Sequence, residues 1–157
     1  MLHGVALEPG DLDITPALDR ENLARLAAAL AAIEACQDPE APFGRWQLEP
    51  DGERRWVQHE PTTDEIAARA SWRPDPDDPA SFDHLLQSAH GAIDVVPEVS
   101  GTYEELRPRA VQINAFGRDV WVESIEDLLA TLTVPRRQKD VERVRVLRAL
   151  QRGERLG

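Results

Sequence analysis

The prolines of this 157-residue chain restrict what its middle third can fold into. Seven of the twelve prolines lie between residues 39 and 79. Because proline fixes φ and removes a backbone donor, it interrupts long helices and central strands. The stretch of about 38–80 is therefore predicted to be an irregular insertion that holds only short elements. The regular core of a single domain has to come from residues 1–36 and from residues after 82.

Two short elements are still expected inside this insertion. The turn signal Asp51-Gly52 separates residues 45–50 from residues 54–61, which predicts a β-hairpin. Residues 62–72 are typical of a short helix with Thr62 or Thr63 as its N-cap.

Hydrophobic periodicity predicts the elements that come before the insertion. Residues 11–15 alternate polar and apolar side chains, which indicates a short strand with one buried face. Asp19 is a good N-cap for a helix that runs to Cys36, with leucines at positions 23, 26 and 30 on one stripe.

After the insertion, strands and helices alternate again. Residues 91–99 are typical of a buried strand, and residues 110–125 of a hairpin about Gly117. Ser124 begins a helix, and the last helix is expected to bury one apolar stripe. That stripe comprises Val141, Val144, Leu147 and Leu150. The predicted fold class is α+β, a small mixed β-sheet with helices packed on one side.

The charge of the chain bears on its partners. A formal net charge of −11 disfavours non-specific attraction to nucleic acid or to anionic lipid. Residues 136–155 are rich in arginine, which suits either a phosphate-bearing ligand or a solvated, ion-paired helix face. No apolar run approaches the ~20 residues that span a bilayer, no signal peptide is recognised, and the lone Cys36 is expected to be a packed thiol. A cytoplasmic protein without membrane contact is the expectation.

Three aspartates are the candidate site. Asp11 and Asp13 are two residues apart in the predicted strand and therefore point to the same side, while Leu12 and Ile14 are expected to point into the core. Asp94 lies between aliphatic residues and is too costly to bury without a partner. If the two strands are neighbours, the carboxylates converge on a site for Mg²⁺, and two ions ~4 Å apart would suit phosphoryl transfer. An exposed strand face that binds no metal is the alternative.

Four segments together resemble the minimal nucleotidyltransferases of the DNA polymerase β superfamily, in the branch that includes abortive-infection toxins of toxin–antitoxin pairs. The segments are "LHGVALEPGDLDI", "GAIDVVPEVSGTYEEL", "VWVESIEDLLATL" and "RRQKDVERVRVL", and the resemblance covers residues 1–36 and about 82–150. It implies an Mg²⁺-dependent transfer of a nucleoside monophosphate from an NTP to a hydroxyl acceptor, which could be RNA, protein or a small molecule.

The resemblance also implies roles for particular residues. Asp11 and Asp13 match the metal-binding D-x-D of the family, and Asp94 matches the third metal ligand, which also helps to deprotonate the acceptor. Lys139 and Asp140 match a basic-then-acidic signature. Arg136 and Arg137, together with Lys139, are the candidate nucleotide-binding cations, with surface ion pairing as the alternative role for the two arginines.

The chain departs from the family pattern near its start. The family's Gly-Gly or Gly-Ser turn is expected upstream of "LHG", and Glu8 stands where relatives often have a basic residue. Two interpretations follow: an active enzyme whose N-terminal segment is not included in this sequence, or a catalytically inactive relative that acts as a binding or regulatory partner.

Overall fold

The computed structural model describes residues 10–50, 52, 54–98, 101–132 and 138–154. These residues belong to two compact units. The sheet unit comprises Asp11–Asp13 and Asp19–Val95, and the C-terminal unit joins Gly10 and Ile14–Leu18 to the described residues from Val96 onward. Whether the two units make up the one domain predicted from the sequence stays a prediction.

The first helix of the sheet unit, α1 (Arg20–Ala32), has the predicted start but ends early. The Asp19 side chain accepts a hydrogen bond from the backbone N–H of Asn22 at 2.9 Å, and Leu23 and Leu30 are buried. Glu34 takes a left-handed φ of 54°, which a helix cannot continue through. The prediction that the helix reaches Cys36 is therefore wrong. Cys36 is exposed in a short strand, so the prediction of a packed thiol is wrong as well.

A four-stranded sheet forms the centre of this unit. Its strand order is β1-β6-β5-β2, with the strands β1 (Asp11–Ile14), β2 (Cys36–Gln37), β5 (His84–Ser88) and β6 (Gly91–Val95). Both β2 and β6 pair antiparallel with β5. Phe82, Leu86 and Val95 are fully buried, so the core of the unit lies against β5 and β6. The strands β1 and β6 are confirmed predictions, whereas β2 and β5 were not expected.

The insertion has the two short elements that its turn and capping signals predict. The strands β3 (Gly44–Leu48) and β4 (Arg54–Gln58) form an antiparallel hairpin, and α2 (Thr63–Ala70) follows it. Thr62 is the N-cap of α2, in a reciprocal capping box with Glu65.

The described part of the C-terminal unit contains a hairpin and three helices. In chain order the elements are α3 (Tyr103–Leu106), β7 (Val111–Ala115), β8 (Arg118–Val122), α4 (Ile125–Thr131) and α5 (Gln138–Gln151). The predicted hairpin and the predicted positions of α4 and α5 are confirmed, and Ser124 caps α4 as expected. The apolar stripe predicted for α5 is wrong in detail. Val141 is 51% exposed, and the buried residues of α5 are Asp140, Val146 and Ala149.

The α+β class is therefore confirmed, since the described residues contain two two-stranded sheets in addition to the four-stranded one. The nucleotidyltransferase fold stays a prediction. None of the helices in the described ranges combines the length and the apolar character that crossing a membrane requires.

Candidate metal centre

Neighbouring strands bring the three predicted carboxylates together. Asp11 and Asp13 alternate with apolar residues along β1, and Asp94 lies in β6, the strand beside β1 in the sheet. The antiparallel register opposes Asp94 to Leu85 of β5. Because β6 is held between β1 and β5, the backbone that carries Asp94 is fixed on both sides.

The carboxylate oxygens of the three residues converge. One oxygen from each of Asp11, Asp13 and Asp94 lies within 4.8 Å of the other two. Asp11 and Asp94 are half-buried and Asp13 is exposed, so the cluster opens to solvent on the Asp13 side. All three belong to the sheet unit. The sequence predicts that the three carboxylates converge if the two strands are neighbours, and this convergence is confirmed.

The apolar residues of β1 do not behave as expected. Leu12 is 50% exposed and Ile14 is half-buried, so the prediction that both point into the core is wrong. A four-residue strand contributes little apolar area of its own. The position of Asp11 and Asp13 is therefore set by the pairing of β1 with β6, and much less by burial of Leu12.

The electrostatics of the cluster disfavour three ionised carboxylates. Burial raises the pKa of the Asp94 carboxyl above its ordinary value, and the negative charges of Asp13 and Asp11 raise it further. A smaller contribution comes from Asp83, a residue that the sequence analysis did not single out. The missed signal is its position immediately before β5, the hairpin partner of the Asp94 strand.

A divalent cation suits this donor set. Carboxylate oxygens are the ligands that hard cations such as Mg²⁺ and Ca²⁺ prefer, and a cation between like charges removes the repulsion that raises the pKa of Asp94. Asp11, Asp13 and Asp94 are the residues that would hold it. Exposed carboxylate clusters also occur without a bound ion, so the geometry permits a metal site without identifying the ion.

The predicted nucleotide-binding residues lie elsewhere in the chain. Lys139 is exposed in the first turn of α5, and the adjacent Asp140 is 4% exposed. Both belong to the C-terminal unit. Arg136 and Arg137 lie outside the described residues, as does Glu8. The part of the nucleotide site that was predicted from these cations thus remains a prediction.

Two histidines of the sheet unit, His59 and His84, have side-chain partners. Half-buried His84 meets the Trp72 ring edge-on with 5.8 Å between centroids, and burial lowers the pKa of its imidazole. The His59 Nε2 lies 2.9 Å from a carboxylate oxygen of Glu65.

No family model, curated protein or solved structure matches the chain. The resemblance to nucleotidyltransferases therefore rests on the sequence segments alone. The structural feature that bears on function is the convergence of the Asp11, Asp13 and Asp94 carboxylates.

Proposed function

We propose that this protein is an Mg²⁺-dependent nucleotidyltransferase that moves a nucleoside monophosphate from an NTP to a hydroxyl acceptor. The observation that carries the proposal is the convergence of Asp11, Asp13 and Asp94 within 4.8 Å on two neighbouring strands. The sequence segments around these residues resemble the minimal nucleotidyltransferases of the DNA polymerase β superfamily. The geometry and the resemblance select the same three residues.

Each carboxylate has a role that follows from its position. Asp11 and Asp13, on the more open strand, would bind the ions that accompany the triphosphate. Asp94 would bind the ion nearest the acceptor and accept a hydrogen bond from the acceptor hydroxyl group, which is the role that the resemblance implies for its position. Bound Mg²⁺ supplies charge neutralisation at the attacking and leaving oxygens of the transfer.

One sequence feature favours a second candidate. Glu8 places a negative charge where relatives often have a basic residue beside the triphosphate. Such a change weakens anion binding, which favours a catalytically inactive protein that acts as a binding or regulatory partner, for example in a toxin–antitoxin pair. This candidate predicts a folded protein that binds no nucleotide with or without Mg²⁺.

Transfer of label from α-³²P-NTPs tests the enzyme directly. The acceptor pools are total tRNA, a protein extract and a mixture of hydroxyl-bearing small molecules, each with and without Mg²⁺. We expect Asp13→Asn to lower Mg²⁺-dependent transfer at least ~100-fold, because metal-ion catalysis contributes several kcal/mol to lowering the barrier.

The matched control is Glu60→Gln, which removes an exposed carboxylate of the same unit outside the cluster. It should transfer label like the wild type. Thermal unfolding of each variant checks that the fold is retained. Transfer by folded Asp13→Asn at the wild-type rate would contradict the assignment of Asp13 as a metal ligand.

A further inference from the structure

The strand β7 forms an open edge of its two-stranded sheet. Within the described residues it pairs with β8 alone, so the backbone on its outer side has no strand partner there. An open edge is a template for pairing with another chain, and natural proteins usually block it with charged residues, proline or a bulge. None of these is present in β7, whose sequence is VQINA, and the uncharged run extends over residues 110–117.

The other edge strands of the described residues are blocked. The strand β2 has only two residues, and each of the others carries at least one charged side chain. These charged residues include Asp11 and Asp13 in β1, Arg45 in β3, Arg55 in β4, and Arg118 and Asp119 in β8. The strand β7 is therefore the described edge at which association with another chain is least hindered.

The turn of the β7–β8 hairpin determines which backbone groups face outward. Phe116 and Gly117 have φ angles of 54° and 78°, as the two central residues of a type I′ turn require. The residue pair that flanks such a turn exchanges both hydrogen bonds, and hydrogen-bonded pairs then alternate along the antiparallel ladder. The N–H and C=O groups of Gln112 and Asn114 therefore point away from β8, towards the open edge.

This open edge is complementary to itself. When two copies of β7 run antiparallel about a two-fold axis at Ile113, the outward groups of Gln112 in one copy meet those of Asn114 in the other. Ile113 then lies opposite its own counterpart, and Val111 lies opposite Ala115 of the second copy. Apolar residues thus meet apolar residues, and no like charges are opposed, although the chain has a net charge of −11.

Phe116, at the tip of the hairpin, provides a second observation. Its side chain is fully exposed, and its left-handed φ of 54° favours Gly, Asn or Asp and is costly for a bulky residue. Neither burial nor turn preference accounts for a phenylalanine at this position. In the two-fold arrangement the tip lies beside Ala110 and Val111 of the second copy, which gives the ring an apolar contact.

We propose that this protein forms a two-fold dimer by antiparallel pairing of β7 with β7 of a second copy. The two hairpins then make one four-stranded sheet. An isolated two-stranded hairpin is marginally stable in water, whereas three or more strands with an apolar face are stable, so the pairing benefits both copies. The inference concerns the C-terminal unit and does not depend on the metal centre or on nucleotidyl transfer.

Sedimentation velocity of the full chain, from about 5 to 500 μM, measures the association. We expect a concentration-dependent dimer of the wild type. Ile113→Lys should weaken this dimer at least about tenfold, because two lysines would face each other across the axis. The control is Leu48→Lys, which adds the same charge at an exposed residue of the β3–β4 hairpin and should leave the dimer unchanged. Circular dichroism checks that each variant is folded.

A disulfide tests the strand register with a milder substitution. In a Cys36→Ser background, Ile113→Cys should form an intermolecular disulfide on mild oxidation, because the Cα atoms of a non-hydrogen-bonded pair lie about 4.5 Å apart. Gln112→Cys in the same background is the control, since this exposed residue is displaced along the strand from its own counterpart. It should cross-link at least about tenfold more slowly, because such a separation is too long for a disulfide.

The two experiments decide the proposal together. A wild-type dimer that is lost in Ile113→Lys and trapped through Ile113→Cys supports it. A wild type that stays monomeric over the whole concentration range overturns it. The same holds if folded Ile113→Lys associates as the wild type does, or if Gln112→Cys cross-links as fast as Ile113→Cys.

Discussion

Two hairpins of the sheet unit have the same backbone plan and opposite surroundings. In both β3–β4 and β5–β6, five residues of one strand pair antiparallel with five of the next. Leu86 and Val95 of β5–β6 are fully buried, and β1 and β2 extend that hairpin into a four-stranded sheet. Leu48 of β3–β4 is 75% exposed, and the β3–β4 pair forms a separate two-stranded sheet.

The difference shows where a charged residue carries information about function. On β3–β4 the Nε of exposed Arg55 lies 3.9 Å from a carboxylate oxygen of Glu49. A surface ion pair of this kind changes the free energy of unfolding very little. On β5–β6 the carboxylate of Asp94 is partly withdrawn from water and lies beside two other carboxylates. That position destabilises the ionised group in the absence of a cation, and it is the reason for proposing a metal site at Asp94.

The largest expected effect on stability contrasts the two hairpins at one residue type. Leu86→Ala should lower the free energy of unfolding by about 2–5 kcal/mol, because it leaves a cavity in a fully buried site. Leu48→Ala should change it by less than about 0.5 kcal/mol, since this side chain is mostly in water. Urea titrations of both variants give the two values. Equal losses would mean that the hairpins do not differ in burial as described.

A medium effect is expected where β3–β4 does have a tight contact. A Cβ at Gly44 would lie 2.5 Å from two ring carbons of Trp56, closer than side-chain atoms approach. Gly44→Ala should therefore destabilise the hairpin by about 0.5–1.5 kcal/mol, the usual cost of displacing a side chain from its preferred rotamer, because the 43% exposed Trp56 ring has to move aside. The control is Gly10→Ala, because the space around the Cβ position of Gly10 is open. Gly52→Ala is unsuitable, because Gly52 has a φ of 85° that strains any other residue. An unchanged urea midpoint for Gly44→Ala would contradict the close contact.

The smallest effect sharpens the electrostatic side of the comparison. Because the pKa of Asp94 is raised in the folded protein, ionisation of its carboxyl group lowers the free energy of unfolding. The stabilising contribution of the protonated carboxyl is therefore present below the ordinary pKa of an aspartate and is lost as the pH rises through the raised pKa. In the absence of divalent cations, Asp94→Asn should therefore unfold at a higher temperature than the wild type at neutral pH. The difference should shrink towards pH 3.

Added Mg²⁺ provides the control for this prediction. It should stabilise the wild type and leave Asp94→Asn nearly unchanged, because only the complete cluster gains a cation. Thermal unfolding at several pH values, with and without Mg²⁺, measures both effects. An Asp94→Asn variant that is less stable than the wild type at neutral pH without metal would show that the Asp94 carboxylate stabilises the fold.

Local signals were sufficient to predict much of the fold. Asp51-Gly52 located the β3–β4 turn, Asp19 and Ser124 marked helix starts, and the sequence around Asp94 marked a buried strand. In each case a short stretch of chain contains both the residue and the reason for its conformation. The three carboxylates were identifiable for the same reason, from alternation in β1 and from a charge among aliphatic residues in β6.

What could not be predicted depends on partners distant in sequence. The two residues of β2 and the strand β5 have no strong pattern of their own, and both are defined by pairing. The exposure of Leu12 and the burial of Asp140 depend on which neighbours pack against them, and single-sequence periodicity does not contain that information. The effect of Asp83 on the pKa of the Asp94 carboxyl has the same origin, since the fold brings the two residues together.

Calorimetric titration of a non-hydrolysable NTP with Mg²⁺ tests the central claim most directly, because it requires no knowledge of the acceptor. The samples are the wild type, Asp11→Asn and the control Glu60→Gln, each checked for retained fold by circular dichroism. We predict Mg²⁺-dependent nucleotide binding by the wild type and by Glu60→Gln, and its loss in Asp11→Asn. A folded wild type that binds no nucleotide, or an Asp11→Asn variant that binds it as well as the wild type does, would contradict a catalytic metal centre at Asp11, Asp13 and Asp94.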